Sequence, residues 1–583
     1  PFSSSMAKVT PAWLSEGFTS ALTGVNSAVA PDLVGTSALA WGYNVANRGS
    51  RPHTRPYFIR RMTLPSGRVQ GASYFGVQGG MGVAVIDGRM YRLRPGEARD
   101  SSDSSYEEIS LPSLGSSSTQ RVWMCQTVES LVVQDFLNQP IIYDGSSARL
   151  AGALEVPRGK QMAYGNGRLW VAVNDTTLAA GNIRTATPGS ELVFTETNYL
   201  SGGGTFTFPD GITALGFIAT TGTSDYGSLL VFSGNRVDSL RADITARDDW
   251  QSMPGFITTV LRHGGTPGQT CLAEVNQDIY WRDSDGGIRS VRSSLADESG
   301  AGNTPISREV SRLTDYDTKD RLIDCPAVNF NNRLLVGSSP YINFYGRTAW
   351  KSLIALDFAP VSTMAGKSSP AYDGEWTGLG VTHMFAGRIG GKTRCFMVSC
   401  SDAGENSLWE VLDDNSGEIA DRTLDCSTNE LVDSRVTSYF ETARRSFDTL
   451  GTRKRLERID AYVSGILGRV DMSIYWRADQ NQKWRLADSM VFCAQVNDPE
   501  GATPHVFKNL VAQHRSQVKT FTLAPSRDLI SKYATHIGFE FQFRVVWTGH
   551  CEVTRVVAHA SPLDESVYAH RVWDDSCVPE DVT

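Results

Sequence analysis

Gly391, Lys392 and Thr393 end like a phosphate-binding loop, but Ala386 stands where the first glycine of that loop is required. Gly366, Lys367 and Ser368 fail in the same way, with Val361 in the glycine's place. Both stretches lie on hairpins or loops rather than between a strand and a helix, so nucleotide binding is not expected at either. Asp283 and Asp285, and Asp413, Asp414 and Asn415, resemble calcium loops only in composition. Neither has the spaced oxygen ligands closed by a bidentate glutamate, and turn aspartates are the simpler reading. The nine histidines include His383, His505, His514, His536 and His550, and no pair has the HxxxH or HExxH spacing of a zinc helix. There is no GxSxG elbow. Asp402 with Glu405, and Asp373 with Glu375, are the nearest carboxylate pairs, each more simply a solvated turn, although glycosidase carboxylates can also come from distant parts of a fold. No catalytic residue, metal or cofactor is therefore expected.

Basic side chains are the stronger signal. Between Asp32 and Asp87 there is no acidic residue, but there are six arginines: Arg48, Arg51, Arg55, Arg60, Arg61 and Arg68. A second cluster holds Arg444, Arg445, Arg453, Lys454, Arg455 and Arg458 against Asp448 and Glu457. Guanidinium groups suit phosphates and acidic partner surfaces, and on a channel wall they would meet a DNA backbone without reading its sequence. The candidate contacts are Arg48, Arg51, Arg55, Arg60, Arg61, Arg444, Arg445, Arg453, Lys454 and Arg455. The alternative is a solvated face balanced by acidic residues from elsewhere in the fold.

These residues must be positioned by strands. VNQDIYWRDSDGGIRSVRSSL, residues 275–295, sets two apolar runs around an Asp-Gly-Gly turn near Asp285 and Gly286, which spells a tight β-hairpin. The device recurs at Asp87 and Gly88, Asp144 and Gly145, Asn166 and Gly167, Gly234 and Asn235, Asn331 and Asn332, Gly390 and Gly391, and Gly404. Each puts Asn, Asp or Gly where a turn needs positive φ. Arg168, Leu169, Trp170 and Val171 after one turn match Arg333, Leu334, Leu335 and Val336 after another. A similar element returns every 45 to 65 residues or so, the scale of a four-stranded propeller blade. The uneven spacing predicts a distorted propeller, with residues 297–307 and 360–372 as candidate insertions.

The flanks differ. Leu14, Phe18, Leu22 and Val25 predict one weak helix over residues 12–29, stopped by Pro31, in an arm or packing segment. The first ten residues read as a tail. After Thr423, long alternating runs appear: Val470, Met472, Ile474 and Trp476, then Phe539, Phe541, Phe543, Val545 and Trp547. Residues 505–516 fit a short helix, and the end from Asp564 is acidic. The expected fold is all-β: a distorted β-propeller plus a β-sandwich-like platform module, with little helix. The expected segments are 1–60 as the arm, 61–422 as the propeller, and 423–583 as the platform with its acidic tail.

Composition agrees with several globular units. The chain has 583 residues, with 40% hydrophobic and 10% aromatic residues, and its 54 glycines fit many turns. The net charge of -8 is modest and argues against a protein that coats nucleic acid. Nine cysteines without a CxxC pair point to reduced, buried thiols. No apolar run reaches the length of a membrane span, and the N-terminal stretch lacks a signal-peptide layout, so synthesis and folding in a cytoplasm are expected.

The run from Gly24 to Phe58 resembles the opening of the tail nozzle proteins of short-tailed bacteriophages, also called tail tubular B or virion stabilisation proteins. It carries Pro31 and Leu33, Asn44, Arg48 and Gly49, then Thr54, Arg55 and Pro56. Residues 278–292, 306–313, 330–340, 353–358 and 370–379 are similar to propeller parts of such proteins, and residues 441–484 also fit. The resemblance implies a ring-shaped virion component of the tail, usually a hexamer, made in the host cytoplasm. It would extend the DNA channel below portal and adaptor, retain the packaged genome and let it pass at infection. Its implied partners are copies of itself, the adaptor or head-to-tail connector, tail fibre or spike proteins, and double-stranded DNA in non-specific passage. No catalytic residue or cofactor comes with it. A modest net charge suits a conduit that must not grip DNA. The alternative is a propeller-type receptor- or carbohydrate-binding tail protein or glycosidase, motivated by the abundant Trp and Asp. A cellular propeller scaffold ranks last, since it gives no reason for the arginine-rich segment or the long C-terminal strands.

Overall fold

The computed structural model describes residues 13–21, 23–98, 101–110, 114–115, 121–195, 205–218, 228–241, 257–296, 304–359, 370–414, 416–424, 431–449, 451–479, 483–493, 517–522 and 536–563. The architecture is all-β, and among the described residues the helical elements are short: Val291–Ala296, Ser311–Thr314 and a few 3-10 turns. The first ten residues, the 505–516 helix, the acidic end and most of both candidate insertions lie outside the described residues.

Turn chemistry builds the hairpins. Asp87 and Gly88 adopt φ of 45° and 78°, Asn166 and Gly167 51° and 70°, and Asn331 and Asn332 51° and 59°. Two positive-φ residues match the right-handed twist of the flanking strands, so these hairpins close tightly. The 275–295 stretch turns as expected, with Arg282 opposite Ile288 and Gly286 at φ 97°. A second turn precedes it at Asn276 and Gln277, φ 51° and 61°, without any glycine.

Five small sheets form propeller blades. The first runs Val69–Phe75, Met81–Ile86, Arg89–Arg94 and Ser105–Ile109. The next three open with Trp123–Gln126, Met162–Gly165 and Ile212–Ile218. The fifth has three strands, Leu272–Val275, Asp278–Arg282 and Ile288–Ser290. A large sheet of 19 strands supplies the rest of the fold. Within it, Ala327–Phe330, Arg333–Ile342 and Thr348–Asp357 meander into the first part of Ala371–Ile389. The second part of Ala371–Ile389 pairs with Lys392–Cys400, which pairs with Asn406–Val411, which pairs with Phe58–Thr63. These two blade-like units complete the circle: Ala327–Phe330 lies against Leu272–Val275 on one side, and Ala371–Ile389 lies against Val69–Phe75 on the other. A strand from early in the chain thus completes this last unit and ties the two ends of the propeller together.

The remainder of the large sheet curls into a half-barrel. Lys454–Ala478, 25 residues, pairs with Phe541–Pro562, 22 residues, from Lys454 opposite Pro562 to Ala478 opposite Phe541. Register shifts between Ser464 and Leu467 and between Leu467 and Asp471 coincide with Gly465, Gly468 and Gly549 at positive φ. Bulges with glycine bend a long ribbon and increase its twist, which produces the curl. Thr437–Thr442 and Leu39–Tyr43 extend this sheet.

The helix expected over residues 12–29 is not formed. Leu14–Phe18 is a strand, paired with Phe541–Pro562 from Leu14 opposite Ala560 to Phe18 opposite Val556. The long strand's edge offers a ready hydrogen-bonding ladder, and that tertiary partner outweighs a weak helical pattern.

Propeller and half-barrel share one core. Ala273, Val275, Leu334 and Trp350 from the blades pack in the same cluster as Phe440, Ile459, Trp476, Phe543 and Trp547. Trp41, Trp170, Trp281, Trp350, Trp376 and Trp547 are fully buried, so the tryptophans in view are chiefly packing residues. Six described cysteines are free thiols; all except the half-buried Cys125 are buried. No helix of the described residues is long and apolar enough to cross a membrane.

Candidate functional site

The arginine-rich segment sits where the propeller meets the half-barrel. Arg55 is 1% exposed, and all five of its N–H donors are used. Its Nε donates to Asn44 Oδ1 at 3.1 Å. Its two Nη atoms donate to both oxygens of Asp421, at 3.0 and 2.6 Å, and to the carbonyls of Pro56 and Thr377, each at 2.8 Å. Asn44 Oδ1 also accepts from the Thr377 N–H at 2.7 Å, and its amide donates to the Thr437 carbonyl. This buried side-chain pair therefore joins blade strand to half-barrel strand.

Beside it lies a buried charge network. Arg48 forms a bidentate pair with Asp357, at 2.9 and 2.8 Å, and approaches Asp414 at 3.2 Å. Arg333 donates to Asp373 at 3.1 Å and to both oxygens of Asp414 at 2.8 Å, with Asp357 at 3.5 Å. Three carboxylates thus share two guanidiniums. Burial pushes the Asp373 carboxyl above its usual range, against the pull of Arg333. Burial also opposes ionisation of Asp414, but His53 and Arg333 outweigh it and hold that carboxyl well below the usual range. Arg61 and Arg394 converge in the same way on the buried Glu410, at 2.5 Å and at 2.7 and 2.6 Å. Of these groups Arg48, Arg61, Arg394, Glu410 and Asp414 line an open cleft of about 1000 Å³, reached also by His53, His550 and Glu552.

The other candidate contacts are likewise engaged within the chain. Arg60 is buried and paired with Glu405. Arg445, 3% exposed, faces Glu16 at 3.6 Å, and Arg444 faces Asp32 at 3.9 Å. Lys454 is fully buried and donates to the carbonyls of Thr449 and Phe539 at 2.5 and 2.8 Å. Arg453 lies over the Phe539 ring, 5.2 Å from its centre. Only Arg51 and Arg455 of the ten are exposed, beside Glu552 and Glu457 respectively. The arginine run without local acids signals distant carboxylate partners: Arg48 and Asp357, or Arg55 and Asp421, are separated by hundreds of residues.

The turn aspartates have local duties. Asp283 is fully buried and accepts from the backbone N–H of Asp285 and Gly287 and from Arg289 Nε at 2.6 Å. Lys392 at the Gly391 turn donates to Glu97 at 2.7 Å. Among the described residues no group of three or more His, Cys, Asp or Glu side chains is placed to hold a metal ion.

A second cavity, about 340 Å³, was not foreseen from the sequence. It sits at the propeller axis and takes residues from every blade-like unit: Gly71, Trp123, Gln161, Thr213, Gln269, Ala327 and His383 among them. Glutamines tie neighbouring units together, Gln269 at the cavity wall and Gln134 outside its lining. Gln269 accepts from the Leu215 N–H and donates to the Leu215 carbonyl, both at 2.8 Å, and Gln134 accepts from Gly159 and donates to the Lys160 carbonyl.

No protein-family model matches the sequence, and no curated protein matches it. Solved structures with a similar fold include BBS1N in complex with ARL6DN, at 9% identity and TM-score 0.35, covering 62% of this chain and 99% of that one. YCF48 bound to D1 peptide matches at 10% identity and TM-score 0.34, covering 62% and 97%. BamB from Moraxella catarrhalis matches at 13% identity and TM-score 0.29, covering 63% and 96%.

Proposed function

We propose that this chain is a structural, non-catalytic subunit of the tail nozzle of a short-tailed bacteriophage virion. In this role it forms a closed ring, a hexamer, below the portal and adaptor. The ring contacts the adaptor and tail fibre or spike proteins, retains packaged double-stranded DNA and lets it pass at infection. One observation carries the reading. The residues behind the family resemblance, Asn44, Arg48, Thr54 and Arg55, hold the propeller to the long-stranded half-barrel. A motif in an apparently irregular N-terminal run thus has a defined task in a two-part architecture of the kind the family implies. A particle wall under pressure from packaged DNA needs such a rigid joint, and fully satisfied buried polar networks supply rigidity.

Electron microscopy and mass measurement of the purified protein, with protein analysis of virions, test this proposal. Closed rings and a stoichiometric virion component are expected. A persistent monomer absent from particles would overturn it. The propeller fold also accommodates the alternative of a receptor- or carbohydrate-binding tail protein. Glycan-array binding or polysaccharide cleavage by a protein that forms no ring would favour that reading.

A further inference from the structure

Asp402 and Glu405 stand close in sequence but differ in use. Glu405 is spent on the buried Arg60. Asp402 is exposed and has no cationic partner among the described residues. Lys351 is likewise exposed and joins no carboxylate among them; its Nζ lies over the Tyr341 ring, 5.3 Å from the centre. Asp402, Lys351 and Tyr341 line one open cleft of about 550 Å³, where the two blade-like units of the large sheet meet. Burial raises the Tyr341 hydroxyl, and the nearby Asp402 raises it further.

The backbone opens this cleft. Trp350 faces Val381 and Ser352 faces Thr377, so residues 378–380 bulge opposite Lys351. Bulges of this kind re-aim side chains beside binding sites. Gly380 has no Cβ to collide with the Tyr341 hydroxyl that lies against it. At the rim Phe344 is 64% exposed and packs on Gly404, whose carbonyl accepts from the Tyr345 hydroxyl at 2.5 Å. The hairpin tip carrying Phe344 is thereby pinned to the turn carrying Asp402. Arg60 and Lys351 balance Asp402 and Glu405 in the lining, so no net charge selects an ion. A free acceptor and a free donor in one cleft instead suit a ligand rich in hydroxyls, each of which both gives and takes a hydrogen bond. Phe344 and Leu379 offer apolar surface for the C–H faces of such a ligand.

We propose that this cleft is a binding site for a neutral oligosaccharide. Asp402 accepts from the sugar hydroxyls, Lys351 donates to them, and Phe344 and Leu379 pack against the C–H faces. The site does not depend on the ring-forming role or on DNA passage: it is complete within one chain.

The test is a microarray of neutral and anionic bacterial-surface oligosaccharides probed with the full-length protein, followed by calorimetric titration with the tightest-bound neutral member. Saturable one-to-one binding that survives added salt is expected. Asp402→Ala and Lys351→Met should each weaken it about tenfold, since a charge-assisted hydrogen bond is lost. Both side chains are exposed, so these variants should melt as wild type does. Arg89→Gln, at an exposed side chain outside the cleft lining, should bind as wild type. Absence of saturable binding to every neutral member, wild-type affinity in the Asp402 and Lys351 variants, or binding confined to anionic members and lost on adding salt would overturn the proposal.

Discussion

Replacing Arg333 with methionine isolates the charge at the centre of the joint. The side chain is 3% exposed, and its partners Asp357, Asp373 and Asp414 are buried at 2%, 0% and 12% side-chain exposure. Methionine keeps much of the volume, so packing over Trp376, 5.6 Å from the guanidinium, is largely preserved. Removing one member of a buried ion pair typically costs about 3–5 kcal/mol, because the partner charge stays buried without compensation. Arg48 still holds Asp357 in a bidentate pair and approaches Asp414, which places the expected loss near the lower end, about 3 kcal/mol. The loss depends on pH. Without Arg333 the folded-state pKa values of Asp373 and Asp414 rise, so the folded variant binds more protons than the folded wild type. Its stability therefore falls more steeply as pH rises through the carboxylate range, and the deficit shrinks on acidification. Urea unfolding followed by tryptophan fluorescence at pH 7.5 and pH 5 measures both effects. A deficit below about 1 kcal/mol at pH 7.5, or one independent of pH, would refute the argument that this network is held together by charge.

Other expectations follow from single contacts. Gly374 sits at φ 107°, and a Cβ there would lie 2.3 Å from the Gly42 carbonyl oxygen. Gly374→Ala should therefore lose about 2 kcal/mol or more in denaturant unfolding, whereas Gly346→Ala, at φ 74° with open space around it, should lose only about 1 kcal/mol. His383 and His550 are pushed down to about 4 by burial, so each remains neutral in the fold but charges on unfolding. Their contribution is fully present above about pH 6.5 and is lost as pH falls towards 4, by at most about 3 kcal/mol each; melting temperatures across that window measure it. Arg51→Ser with Arg455→Ser should leave the melting temperature within a few degrees, because both are exposed; under the proposed nozzle role, the double change is expected to impair ring assembly or DNA retention, read by electron microscopy of the purified protein and by genome content of particles. Arg445→Ser or Lys454→Ser should instead destabilise the monomer by about 2 kcal/mol in denaturant unfolding, each removing a buried cation from half-buried acceptors.

The hairpins were legible because a tight turn is a local event. Two residues with positive φ decide it, and Asn, Asp and Gly mark them. The turn at Asn276 and Gln277 escaped notice because glutamine carries no such mark, although its φ is 61°. The alternation of Val470, Met472, Ile474 and Trp476 likewise announced a strand with one buried face, and all four are buried. The arginines were visible as a charge asymmetry, but their partners were not. Asp357, Asp373, Asp414 and Asp421 are far along the chain and look like ordinary turn or strand residues in sequence.

Sequence alone therefore determined the all-β class, the repeated hairpin and the change to long strands. Each is encoded within a few neighbouring residues by φ preference or period-two burial. Tertiary structure decided that Leu14–Phe18 is a strand, that Phe58–Thr63 closes the last blade, and that Arg55 and Arg333 hold two parts of one fold together. It also decided the axial cavity, whose lining comes from separate strands around a circle. Pairing across hundreds of residues leaves no local periodicity, because the energy that selects it comes from burial and charge satisfaction in the assembled core.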